Sequence, residues 1–213
     1  NNSGGGIRMG RLLIINGSPR APRSNSRRYA ALFRRYWKEP MDEYLVTDCQ
    51  HTLICAQLSR YDHLLLVFPL YADALPAALL RFLQEMERAL LPANLRVHTL
   101  VNCGFLEPEQ NHTALAILQY FCAKNSMKYG SSLCIGSGEA ILDTPFSFLV
   151  RHKIKKLASS IHTGHYDAFS VTMPLTKKMF IRASTRYWLS YGSKNHISEV
   201  QMRTMQVEGD NEA

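Results

Sequence analysis

The sequence predicts an α/β protein built on a parallel sheet with helices on both faces. Two patterns carry this prediction. Five short apolar runs alternate with five segments of helical period along most of the 213 residues, as parallel sheets with crossover helices require. Two of those runs, Leu12-Leu13-Ile14-Ile15 and Leu64-Leu65-Leu66-Val67-Phe68, are continuous rather than alternating, as expected of strands buried on both faces.

The elements follow in order. Leu12 to Ile15 is the first strand, ended by Asn16-Gly17-Ser18-Pro19. Tyr29, Leu32, Phe33 and Tyr36 then recur at helical spacing, with Arg27, Arg28, Arg34 and Arg35 between them and Ser24 or Ser26 as the N-cap. Glu43 to Val46 is a second strand and Thr52 to Ser59 a short helix. Leu64 to Phe68 is the third strand, stopped by Pro69. Pro76 sits where a helix start tolerates proline, and Leu79, Leu83, Met86 and Leu90 form the apolar face that follows. Arg96 to Val101 is the fourth strand, ended by Asn102-Cys103-Gly104, and Leu115, Leu118 and Phe121 mark the next helix. Ser131 to Ile135 is the fifth strand, ended by Gly136-Ser137-Gly138, and Phe146, Val150, Ile154, Leu157 and Ile161 face one side of the last core helix. From about Ser170 the chain reads as an appendage, with Met179, Phe180, Ala183, Tyr187 and Trp188 on an amphipathic helix.

Composition narrows the class. A chain that is 46% hydrophobic and 10% aromatic excludes a mostly disordered or fibrous protein, and at roughly 100–200 residues per domain one domain is the default. The longest apolar run, Leu64 to Leu70, is far too short to span a bilayer. The Gly-rich segment Asn1 to Gly10 reads as a tag remnant or loose leader, with Met9 a natural start, and no secretory signal is evident in it. An odd five cysteines without a C-x-x-C pair fit reduced thiols and a cytoplasmic location. The net charge of +8 is uneven: residues 1–40 carry nine Lys/Arg against one acid, 41–150 six against eleven, and 151–213 ten against five. Basic ends favour anionic partners.

In open parallel sheets ligands bind outside the carboxyl ends of the strands, so the loops after the strands are where chemistry is sought. The first, Asn16-Gly17-Ser18-Pro19-Arg20 with Ser24-Asn25-Ser26, sets three hydroxyls, an amide and an arginine before a helix N-terminus. Free backbone N–H groups and the helix dipole favour an anion there, and the side chains supply what a phosphate monoester needs. The second, Pro69-Leu70-Tyr71-Ala72-Asp73-Ala74-Leu75-Pro76, suits a planar apolar ring, although by composition alone packing of Leu70 and Tyr71 on the sheet edge accounts for it better. The third, Asn102-Cys103-Gly104-Phe105-Leu106-Glu107, offers a glycine for close backbone approach and a phenyl ring to cover a ligand. Together they outline one crevice with a phosphate end and an aromatic end.

In these three loops the chain resembles the flavodoxin-like NAD(P)H-dependent FMN oxidoreductases, the group of FMN reductases and quinone and azo reductases. The first loop is similar to that family's FMN-phosphate loop, Phe68-Pro69-Leu70-Tyr71 with Leu75-Pro76 to its second flavin loop, and Asn102 to Glu107 to its third. The resemblance covers residues 11 to about 165. It implies a three-layer flavodoxin-like sandwich with five parallel strands in the order 2-1-3-4-5, non-covalent FMN, NAD(P)H as reductant, a small-molecule electron acceptor (a quinone, flavin, azo or nitro compound) and a homodimer. Ser18, Arg20, Ser24, Asn25 and Ser26 would then hold the phosphate. Pro69, Leu70, Tyr71 and Ala72 would line the ribityl chain and ring, and Asn102, Gly104 and Phe105 would contact the isoalloxazine. Where many members have Gly or Trp shortly after the second-loop tyrosine, this chain has Ala72, Asp73 and Ala74. In these terms residues 11–168 form the FMN-binding domain, and 169–213 a helical extension of it with a frayed tail.

Because the cofactor would carry the chemistry, no catalytic side chain is assigned. A dinucleotide-fold dehydrogenase lacks its G-x-G-x-x-G after the first strand: Gly136-Ser137-Gly138-Glu139-Ala140-Ile141 fails at the third glycine. An electron carrier of flavodoxin type is the alternative function, disfavoured by the basic charge. A nucleic-acid surface on Arg27, Arg28, Arg34, Arg35, Lys153, Lys155 and Lys156 reads better as solvated helix faces, and no membrane partner is expected. His162-Thr163-Gly164-His165 reads as a glycine-capped helix end rather than a metal site.

Overall fold

The sheet has six parallel strands, not five. In the computed structural model, which describes residues 10–20 and 23–204, they are β1 (Leu12–Asn16), β2 (Met41–Leu45), β3 (His63–Pro69), β4 (Arg96–Asn102), β5 (Lys128–Ile135) and β6 (Ala168–Val171), in the order β2-β1-β3-β4-β5-β6. Of the leader read over Asn1 to Gly10, residues 1–9 lie outside the described residues, as does the tail from Val207 to Ala213. The first five strands take the expected order, and β6 adds a parallel edge beside β5, pairing Ser132 with Ala168 and Ile135 with Val171. No apolar run announced it. Of its four residues only Val171 is buried, because an edge strand covered on one side carries a single inward position.

The helices between the strands are α1 (Asn25–Arg34), α2 (His51–Ala56), α3 (Ala77–Arg88), α4 (His112–Lys124) and α5 (Ser147–Thr163). Successive strand residues face opposite sides. Leu13, Ile15, Leu64, Leu66 and Phe68 therefore enter one core with Leu79, Phe82, Met86, Leu118 and Phe121 of α3 and α4. Leu12, Ile14, Leu65 and Val67, also buried, point the other way, toward the side where α1 and α5 pack with Tyr29, Phe33, Ile154 and Leu157 buried. Two helix ends have a clear local cause. Ser24 caps α1 by accepting the Arg27 N–H at 3.2 Å, and Gly164 ends α5 with a left-handed φ of 73°. Two expected boundaries move. Tyr36 falls in the turn after α1, and Leu90, placed on the apolar face of α3, lies beyond its end and is 99% exposed.

Near the start of β4, where its pairing with β5 slips register between Val97 and Thr99, His98 is fully buried. The Ser131 N–H donates to its Nδ1 at 2.9 Å, which places the proton on Nε2, 3.2 Å from Nδ1 of His63. A Cβ on Gly130 would collide with the His98 ring, so glycine is what lets β5 pass it.

The chain divides into two units, Asn1–Met173 and Pro174–Ala213. The second consists of α6 (Lys177–Lys194) and α7 (Glu199–Met202). Thr176 caps α6 and a Ser198–Gln201 capping box starts α7. On α6 Tyr187, Trp188 and Tyr191 pack on one another and remain about half exposed. No described helix is long and apolar enough to cross a membrane.

Candidate functional site

A cavity of about 510 Å³ opens at the carboxyl ends of β1, β3 and β4. Its first wall is the loop between β1 and α1. The β1 strand ends in the fully buried Asn16, whose Oδ1 accepts the Ser18 N–H at 3.2 Å. The Ser18 hydroxyl, itself buried, accepts the Arg20 N–H at 3.2 Å, and the Arg23 N–H returns to the Arg20 carbonyl at 2.9 Å. These bonds curl the loop so that Ser18, Arg20, Arg23 and Ser24 all line the cavity. Gly17 is required for this path: a Cβ there would lie 2.9 Å from Leu79 Cδ2 and 3.0 Å from Phe68 Cβ.

The hydroxyls of Ser18 and Ser24 accept backbone N–H groups, and each keeps its own O–H to donate. Ser26, buried on the first turn of α1, instead donates to Asn102 Oδ1 at 3.4 Å. The first-turn N–H groups of α1 add donors without helical partners. Arg20, Arg23, Arg27 and Arg28 bring positive charge to the rim. Arg28 is largely neutralised by a bidentate pair with Asp143, which holds the Asp143 carboxyl below the usual carboxylate range.

The second and third loops close the opposite side with Pro69, Tyr71 and Asn102. The Leu70 N–H donates to the Asn102 carbonyl at 2.8 Å, which ties the starts of these two loops together. Beyond Tyr71 the chain turns sharply: Tyr71 and Ala74 exchange hydrogen bonds of 3.1 and 2.9 Å, and Ala72 and Asp73 both take positive φ, 45° and 58°.

Eight of the twelve residues singled out from sequence thus meet around one cavity: Ser18, Arg20, Ser24, Asn25, Ser26, Pro69, Tyr71 and Asn102. Four are not among its lining residues. Leu70 packs against the hydrophobic core, Ala72 sits at the exposed tip of the turn, and Gly104 and Phe105 are exposed on the third loop. Gly104 does approach the rim, where a Cβ would lie 3.7 Å from Glu139 Cγ.

Sequence reasoning missed five lining residues: Arg23, Arg27, Arg28, Ala31 and Glu139. The sequence reads Arg27 and Arg28 as part of a solvated helix face, although the first turn of α1 faces the loop before it. Glu139 follows β5, whose carboxyl end lies at the same sheet edge as the other loops. Asn25 Nδ2 donates to both its carboxylate at 3.2 Å and its carbonyl at 3.3 Å.

Cys103, beside the site, is buried. Burial raises its pKa, and its sulfur accepts from Asn111 Nδ2 at 3.4 Å, the surroundings of a packed thiol rather than a reactive thiolate. No group of three or more metal-ligating side chains occurs among the described residues.

No family model and no curated protein matches the chain. Solved structures do. An NADH:FMN oxidoreductase in its apo form superposes with a TM-score of 0.56 at 12% identity, over 73% of this chain and 89% of that one. A flavodoxin from Streptococcus pneumoniae gives 0.55 at 11% identity, over 72% and 99%. An azoreductase from Bacillus anthracis gives 0.52 at 14%, over 73% and 100%. At these identities the likeness establishes a flavodoxin-like fold.

Proposed function

We propose that the protein is an FMN-dependent oxidoreductase that takes reducing equivalents from NAD(P)H and passes them to a small-molecule acceptor of the quinone, flavin, azo or nitro class. The observation that carries this reading is the single cavity joining a hydroxyl- and arginine-lined helix N-terminus to Pro69, Tyr71 and Asn102. Its residues fit the cofactor. Beneath the loop Asn16 Nδ2 is buried without a partner, and the Gly17 backbone runs where no side chain fits. The similar solved structures, among them an NADH:FMN oxidoreductase and an azoreductase, share the fold in which such a site is built.

When bound, FMN would supply the hydride chemistry, accepting from the nicotinamide and donating to the acceptor. The chain's own part is placement. Ser18, Ser24 and the first turn of α1 would fix the phosphate, and Arg20 and Arg23 would neutralise it. Pro69 and Tyr71 would present an apolar wall to the ring, and the coupled Leu70–Asn102 backbone would hold that wall in register. The half-exposed Tyr71 leaves the ring side open for two substrates in turn.

Flavin-fluorescence titration tests the assignment. The double variant Ser18→Ala/Arg20→Ala should bind FMN about 10- to 150-fold more weakly, from charge-assisted hydrogen bonds of roughly 1.5–3 kcal/mol. Unchanged affinity in a folded variant contradicts it. The second reading, a flavodoxin-type electron carrier, is favoured by the likeness to a flavodoxin and opposed by the charge of +8. It binds FMN equally but does not oxidise NAD(P)H directly.

A further inference from the structure

The second unit contains the longest described helix, and almost nothing covers it. Each of α1, α3, α4 and α5 buries four or more residues. Over its 18 residues α6 buries one, Gly192, where Met202 of α7 packs. Its large apolar side chains stay out: Met179, Ile181, Tyr187, Trp188 and Tyr191 are each about half exposed.

The pattern on α6 is amphipathic. Phe180, Tyr187 and Tyr191, with Ile181 and Trp188 beside them, recur at the three-, four- and seven-residue spacings that put side chains on one face. Lys178, Arg182 and Arg186, four residues apart, form a second face. The helix also carries Lys177 and Lys194 and has no carboxylate. None of these five cations makes an ion pair among the described residues. The one described carboxylate of the unit, Glu199 on α7, is taken by Arg203.

This combination selects an occupant. Tyr and Trp have an apolar body and a polar tip, and both are satisfied at the boundary between lipid headgroups and acyl chains. Lys and Arg keep their charged heads in water or against phosphate while their stems run along apolar surface. Five uncompensated positive charges complement an anionic leaflet. They oppose the same helix of a second copy, which would bring five like charges to the contact. The rings and the row of cations occupy different faces, whereas a single nucleic-acid strand needs both along one groove.

We propose that α6 is an interfacial membrane anchor. It lies in the plane of an anionic bilayer surface, with Phe180, Tyr187, Trp188 and Tyr191 at the headgroup boundary and its Lys and Arg side chains against lipid phosphates. It does not span: no described helix is long and apolar enough to cross a membrane, and a helix lying in the interface has no need to be. The proposal revises the expectation of no membrane partner and is independent of the flavin reading.

The full-length chain carries its own reporter. Of its two tryptophans, Trp37 is 7% exposed and Trp188 51%, so a change of emission on adding vesicles reports α6. Vesicles of phosphatidylcholine and phosphatidylglycerol in equal parts should shift the emission to the blue and carry the protein down on sedimentation. Pure phosphatidylcholine should bind at least about tenfold more weakly. Trp188→Ala/Tyr191→Ala and Lys178→Gln/Arg182→Gln/Arg186→Gln should each lose about tenfold or more in sedimentation with the anionic vesicles. These side chains are exposed, so the circular dichroism and melting of both variants should match the parent. Trp188→Phe, which keeps a ring, should stay within about threefold of the parent. No binding of the full chain to anionic vesicles overturns the proposal, and so does binding that is as tight on neutral vesicles or that survives both variants. Binding to poly-glutamate in place of vesicles assigns the helix to an acidic protein and overturns it, as does a dimer that ignores vesicles and dissociates in Trp188→Ala/Tyr191→Ala.

Discussion

Glu139 is the residue that most opposes its surroundings. Its carboxylate lies at the rim of a cavity otherwise lined by arginines and hydroxyls and occupies the Asn25 amide. A ligand phosphate would meet like charge there, and Asn25 would have to exchange partners. Glu139→Gln should therefore strengthen FMN binding about 3- to 10-fold, a gain of roughly 1 kcal/mol at partly solvated separations, read by the same titration; weaker binding would show that Glu139 serves the ligand rather than restrains it. His98 makes a prediction of the opposite kind, about stability. Burial, then the neighbouring His63 and Arg96, push its pKa well below 6.5, so the folded protein excludes a proton that the unfolded chain accepts. The contribution is complete above the unfolded value of 6.5 and is lost progressively as pH falls below it. Melting temperature should drop from pH 7 to pH 5, and His98→Gln, although less stable at pH 7, should show a shallower drop; equal slopes would contradict the assignment. Neither residue was legible in the sequence. Glu139 lies in a loop singled out only for a failed glycine motif, and His98 is one of eight scattered histidines whose burial follows from a local register slip.

At the scale of elements, the loops did most of what their sequences suggested. The glycine and hydroxyl residues after β1 lie where a strand-to-helix turn puts them, because local hydrogen bonds from Asn16 to Arg23 determine that turn. The turn after β3 was less readable. Ala72 and Asp73 adopt left-handed φ values that usually call for Asn or Gly, so their sequence hid a tight hairpin and suggested ring contacts for Ala72 instead. A non-glycine residue held there costs of order 1–3 kcal/mol. Ala72→Asn should recover about 0.5–1 kcal/mol, visible as a higher denaturant midpoint at constant slope, without altering FMN affinity, since Ala72 does not line the cavity. No gain would mean that the turn is held from elsewhere. β6 was illegible for a different reason. A four-residue edge strand with one buried position produces no periodicity, and its place depends on pairing with β5 across more than thirty residues of sequence.

At the scale of the molecule, charge and architecture combine. The parallel sheet brings four post-strand loops to one edge, and the basic first segment of the chain supplies α1, whose arginines border the phosphate loop. The net charge of +8 arises from residues 1–40 and from the residues after 150, the segment between them being acidic. It suits anionic cofactors and substrates better than docking on basic partner proteins, which is why the enzyme reading is preferred to the electron carrier. The measurement that tests this most directly is the visible absorption spectrum of the purified protein after loading with flavin and desalting, followed without oxygen as NADPH or NADH is added. The account predicts a retained flavin band that bleaches within the mixing time of a slow turnover assay and returns when a quinone is supplied. A retained band that neither nucleotide bleaches would contradict the oxidoreductase and leave the carrier; a band lost on desalting would contradict the flavin site itself.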